Sequence, residues 1–228
     1  MQNSSRKVHN ATRIAGILLI SSFLILLLAL ILLITNGAFT AFAEGLRGSL
    51  AAKAPYAALF RQLNFLWTVG WVIQLMGFGL LAWLLLRAED ESLAIPAFIA
   101  ILVAAILGVI HGTFHMTVET WAAEEAARTG TIPQVYHPIS LWISDTFRIA
   151  YILQLLGTVG FGWSILRVEL LAPWVGLVSI GWGIFWLFAY LAGAGAPGLL
   201  FILPAMIGVA LLRKRRVGNV QTASSELG

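Results

Sequence analysis

Two histidines and a glutamate recur at one-turn spacing in IHGTFHMTVETWAAEEAARTG: His111, His115 and Glu119. At i, i+4 and i+8 of a helix, the three side chains leave one face within roughly 80° of arc. Two imidazoles at that spacing can share a metal ion, and a carboxylate one turn on can complete or orient the set. The chain then carries His137 and Asp145, with Ser140 between them. Three histidines and an acidic base are enough for a zinc-water hydrolase. The metal set read from the sequence is therefore His111, His115, Glu119 and His137, and zinc, copper or haem is the cofactor it would take. The same histidines also suit the lipid headgroup level, as amphipathic side chains beside Trp121. No second span carries a histidine, which argues against haem held by two histidines across the membrane.

A second polar set is Gln74 and Gln154, each inside an apolar stretch. Polar side chains within a span tend to face the bundle interior and often mark a pathway, so Gln74, Gln154 and His111 form a candidate substrate or transport route. Hydrogen bonding between helices, worth about 0.6 kcal/mol on average, is the plainer use of the glutamines. Glu124, Glu125 and Arg128 read as a solvated helix end. Gly70, Gly77, Gly79, Gly157, Gly160 and Gly162 read as close-packing surfaces.

The elements that must position these residues follow from composition. Of 228 residues, 60% are hydrophobic and 11% charged, with mean hydropathy +0.91; a soluble domain is typically 45–50% apolar and about 25% charged. Nucleic-acid binding, disorder and a disulfide scaffold are all excluded, the last because the chain has no cysteine. Spanning helices of roughly 20 apolar residues are expected at 14–35, 66–86, 94–117, 149–166, 172–192 and 197–212, with long connections at 36–65 and 118–148. The fold class expected is all-α: a polytopic six-helix transmembrane bundle. Residues 1–13 form a cytoplasmic N-terminal segment, 14–212 the six-span domain, and 213–228 a basic, then disordered, cytoplasmic tail. Ala41-Phe42-Ala43 resembles a signal-peptidase site. The apolar run from Ile14 to Thr35 is longer than the 7–15 residues of a secretory core, so it reads as a retained anchor.

With both termini inside, nine of the fourteen Lys and Arg face the cytoplasm and five face outward, as the positive-inside rule requires. Residues 73–89 and 153–169 share Gln, Leu, Gly, Trp, Leu, Arg and Glu at an offset of 80: seven identities in seventeen positions. That pattern reads as a duplicated helical hairpin.

The start of the first span, Arg13-Ile14-Ala15-Gly16, resembles that of a bacterial family of small six-helix integral membrane proteins of unknown function. Leu171-Ala172-Pro173-Trp174, at the start of a late span after a short basic turn at Arg167, is similar to that family too. The resemblance covers the layout of most of the chain. It implies a multi-pass protein of the bacterial plasma membrane, with the lipid bilayer, other membrane subunits or a second copy as partners, and it brings no catalytic residues. Three functions fit. The first is a non-catalytic accessory, small-molecule-binding or assembly subunit. The second is a metal or haem enzyme with an outward-facing site. The third is a small transporter with a polar site where the repeats meet.

Overall fold

The structure is a computed structural model that describes residues 2–35, 50, 52–193 and 201–225, the side chains of 2–6, 33 and 214–225 excepted. Among the described residues the fold is all-α: α1 (Gln2–Thr35), α2 (Ala57–Arg87), α3 (Glu91–Phe114), α4 (Thr120–Thr129), α5 (Tyr136–Arg167), α6 (Pro173–Leu191) and α7 (Ile202–Ser225). A 3₁₀ turn, Ala54–Tyr56, precedes α2, and a π-turn, His115–Glu119, joins α3 to α4.

Five stretches among the described residues are long and apolar enough to cross a bilayer: Lys7–Leu32, Ala54–Arg87, Glu91–Thr129, Tyr136–Arg167 and Pro173–Leu191. The protein is membrane-embedded. The expected sixth span at 197–212 is shorter here. Residues 197–200 lie outside the described residues, and the apolar stretch Ile202–Arg213 is about 18 Å long at 1.5 Å per residue. Ala41–Ala43 also lies outside the described residues.

The expected long connection at 118–148 is mostly helix. Helix α4 (TWAAEEAART) buries Ala122, Ala123 and Ala126 on one side and turns Glu124, Glu125 and Arg128 away. Its charges end an apolar window while its alanines continue the helix, because alanine has the highest intrinsic helix propensity. Gly130 stops it in the left-handed region at φ 74°, and its N–H donates to the Ala126 carbonyl at 2.9 Å. Helix α5 then starts at Tyr136 and α2 at Ala57, each well before its expected apolar span.

The chain divides into two compact units. One comprises Met1–Phe23, Ile73–Ala104 and Tyr151–Gly228; the other comprises Leu24–Val72 and Ala105–Ala150. The first packs Ala15 and Leu19, Phe78 and Leu81, Ala97 and Ile101, Phe161 and Ile165 into one core. Lipid is as apolar as these side chains, so dispersion and close fit hold them rather than expulsion of water. The Phe78 and Phe161 rings stack at 5.1 Å.

The turn after α2 is tied to α5 within the same unit. Ser164 donates to Asp90 Oδ2 at 2.5 Å, Ser92 donates to Asp90 Oδ1 at 3.1 Å, and Arg167 donates to Ser92 Oγ at 2.7 Å. Glu89 and Glu169, 80 residues apart, are the positive-φ non-glycine residues of the described chain, at 66° and 50°.

Candidate functional site

The second unit builds its core from Leu50, Phe114, Ala122, Ala123, Ala126, Tyr136 and Ile143, and one polar chain runs through it. Helix α3 presents His111, and the π-turn presents His115 and Glu119. A π-turn widens the helix by one residue and frees backbone carbonyls. Here the hydroxyl of Thr120 takes up that slack, donating to the carbonyls of His115 at 2.8 Å and Met116 at 3.0 Å.

The α3 face that carries the site is held close to α2. A Cβ on Gly108 would stand 2.6 Å from the ring of Trp71, and one on Gly112 would stand 2.3 Å from the Thr68 hydroxyl. Only glycine permits that approach.

The imidazoles of His111 and His115 meet Nε2 to Nε2 at 3.0 Å, and Nδ1 of His115 bonds the Oε2 carboxylate oxygen of Glu119. The other oxygen, Oε1, accepts from Lys53 Nζ at 2.5 Å and from the Tyr136 hydroxyl at 3.4 Å. Lys53 and Glu119 are both buried, each side chain 9% exposed. Lys53 also stands 5.8 Å over the Phe60 ring, and His111 stacks on Phe147 at 4.2 Å.

The hydrogen placement follows from the bonding pattern. With Nδ1 of His115 donating to the carboxylate, a neutral His115 leaves Nε2 to accept, so His111 donates. A second hydrogen on His115 reverses that link. His111 Nδ1 is buried without a hydrogen-bond partner among the described residues. The arrangement can therefore accept or donate one proton, or one hydrogen bond, without moving a heavy atom.

No family model, curated protein or solved structure matches the chain.

The structure brings together His111, His115 and Glu119 from the expected metal set. His137 is exposed on the first turn of α5, and among the described residues no group of three or more His, Asp or Glu is arranged to hold a metal. Ser140 donates to the His137 carbonyl at 2.8 Å, and Asp145 pairs with Arg148 at the surface. Gln74 and Gln154 are buried, 1% and 2% exposed, in the first unit, while His111 belongs to the second. Both oxygens of the glutamines and Nε2 of Gln74 have no hydrogen-bond partner among the described residues.

Lys53, Tyr136, Phe147 and the π-turn are the parts that sequence reasoning missed. Lys53 looked like one more outward-facing topology charge. A lysine just before Ala-Pro at a helix start, in a chain this poor in charge, was the signal available.

Proposed function

We propose that the chain is a multi-pass bacterial plasma-membrane protein, both termini cytoplasmic, that has no catalysis of its own. In this reading it is an accessory or assembly subunit that binds a small polar molecule at the Lys53–Glu119–His115–His111 chain. The buried ion pair carries the reading. Two charges taken out of water seldom contribute net stability, and apolar residues of similar volume often serve a fold as well or better. Ionisable groups buried in a membrane protein more often serve ions, protons or ligands. Lys53, His115, Glu119 and Thr120 line a cavity of about 10 Å³, at the threshold for a single water-sized group.

The orientation rests on the nine-to-five bias of basic residues. The duplication of the α2–α3 and α5–α6 hairpins is supported by the seven identities at offset 80 and by the matching left-handed glutamates, Glu89 and Glu169.

The test is ligand-linked stability. An organic extract of the native membrane, added to protein in nanodiscs, should raise the unfolding temperature of the wild type. It should leave Lys53→Met/Glu119→Leu unmoved, since a ligand at a hundred times Kd adds about 2.7 kcal/mol to whichever form binds it. Equal shifts in both proteins, or none in either, would remove the proposal.

A further inference from the structure

A second cavity of the same unit adjoins the polar one. It measures about 130 Å³ and is lined by Leu26, Ala29 and Leu30 of α1 and by Phe60, Leu63, Trp67 and one polar residue, Asn64, of α2, the Asn64 amide donating to the Phe60 carbonyl at 2.9 Å. Phe60 lines both cavities. One face of its ring neighbourhood is thus apolar, while Lys53 Nζ stands 5.8 Å from the ring centroid. Leu24, Leu27 and Leu28, on the same stretch of α1, are exposed, as a helix meeting lipid should be.

The two volumes demand different things. The polar cavity takes one hydrogen-bonding group. The apolar cavity is close to the roughly 150 Å³ of an engineered protein cavity that stays dry and takes up benzene. The fixed charges bear on the sign of the head: the Lys53 ammonium and the Glu119 carboxylate stand 2.5 Å apart and offset one another. An anionic head would be repelled by Glu119, and a cationic one by Lys53, each at close range.

From this we infer that the site binds a neutral amphiphile dissolved in the bilayer. Its hydroxyl or carbonyl head bonds to the His115–Glu119–Lys53 group, and its ring-sized apolar portion sits against Leu26, Ala29, Leu63 and Trp67. The inference rests on the reading of the polar chain as a binding site, and adds the class of ligand and the second pocket. Access is from the lipid side, along α1.

The probe is para-bromophenethyl alcohol, whose bromine quenches tryptophan on contact, titrated into the full chain in nanodiscs. Quenching should contain a saturable component that disappears in Trp67→Phe and in Ala29→Phe, which fills the apolar cavity. His115→Leu should weaken it at least tenfold, and Lys53→Met/Glu119→Leu should do the same should His115→Leu fail to fold. Para-bromoethylbenzene, without a head, and para-bromophenethyl phosphate, with an anionic one, should give only the linear quenching of probe dissolved in lipid. Linear quenching by the alcohol in the wild type, or saturation surviving Trp67→Phe, overturns the inference. Saturation indifferent to His115 and to the charge-free pair overturns it too, by leaving the head unbound. Stabilisation by the membrane extract without saturation by the alcohol would refute the ligand class while leaving the polar site standing.

Discussion

Replacing Lys53 by methionine should be among the most damaging single changes in the second unit, and undoing it should require only a second change. Lys53 Nζ lies 2.5 Å from Glu119 Oε1, with both side chains 9% exposed. Lys53→Met removes the ammonium and leaves a buried carboxylate with only His115 and Tyr136 as partners among the described residues. Breaking a buried pair from one side costs about 3–5 kcal/mol. Glu119→Leu should cost less, because the lysine stem can turn its head toward water. The double variant, with two apolar side chains of similar volume, should lie near the wild type or up to about 4 kcal/mol above it. The coupling between the two sites should then be at least about 3 kcal/mol. Arg61–Glu124 is the internal control: 2.9 Å apart, with side chains 52% and 48% exposed, it should couple by about 0.2–1 kcal/mol. Reversible unfolding in mixed micelles, followed by tryptophan fluorescence over the complete cycle, measures both. A cost below about 1 kcal/mol for Lys53→Met, or a double variant as unstable as the two singles summed, would refute the buried-pair reasoning.

Further changes probe the rest of the frame. Gly108→Ala drives a methyl to 2.6 Å from the ring of Trp71, itself only 2% exposed, and should cost about 1–3 kcal/mol by overpacking; Gly181→Ala, which meets nothing within 4 Å, should be neutral in the same melts. Ser164→Ala takes a donor from the buried Asp90 carboxylate and should cost about 1–3 kcal/mol, most of it recovered in Ser164→Ala/Asp90→Leu. Because the chain has no cysteine, single-cysteine labelling reads topology without background. Thr131→Cys should react with a membrane-impermeant maleimide in intact cells, and Glu89→Cys only after permeabilisation; the reverse pattern would invert the orientation.

The sequence made part of the site legible, for a geometric reason. His111, His115 and Glu119 share a face because their spacing follows the helix, and that relation is local. Lys53 meets Glu119 across 66 residues, and Tyr136 reaches the same carboxylate only because α5 begins at Tyr136, in a stretch that hydropathy marks as connection. The π-turn has no residue signature of its own; the Thr120 hydroxyl that supports it is also at home on any helix. The place of His137 was not legible for a related cause. Its nearness to the other histidines depended on the path of residues 118–148, and helix α4 followed by Gly130 sets that path. The boundaries of the second, third and fourth spans slipped outward because those helices continue on alanine and on amphipathic faces, beyond the point where an apolar window closes.

Native mass spectrometry of the full chain, released directly from its own membrane, tests the binding claim most directly. The account predicts one small-molecule adduct on the wild type, absent from Lys53→Met/Glu119→Leu and retained in Arg61→Met/Glu124→Leu. A wild type that flies bare, or an adduct carried equally by the charge-free variant, would contradict it.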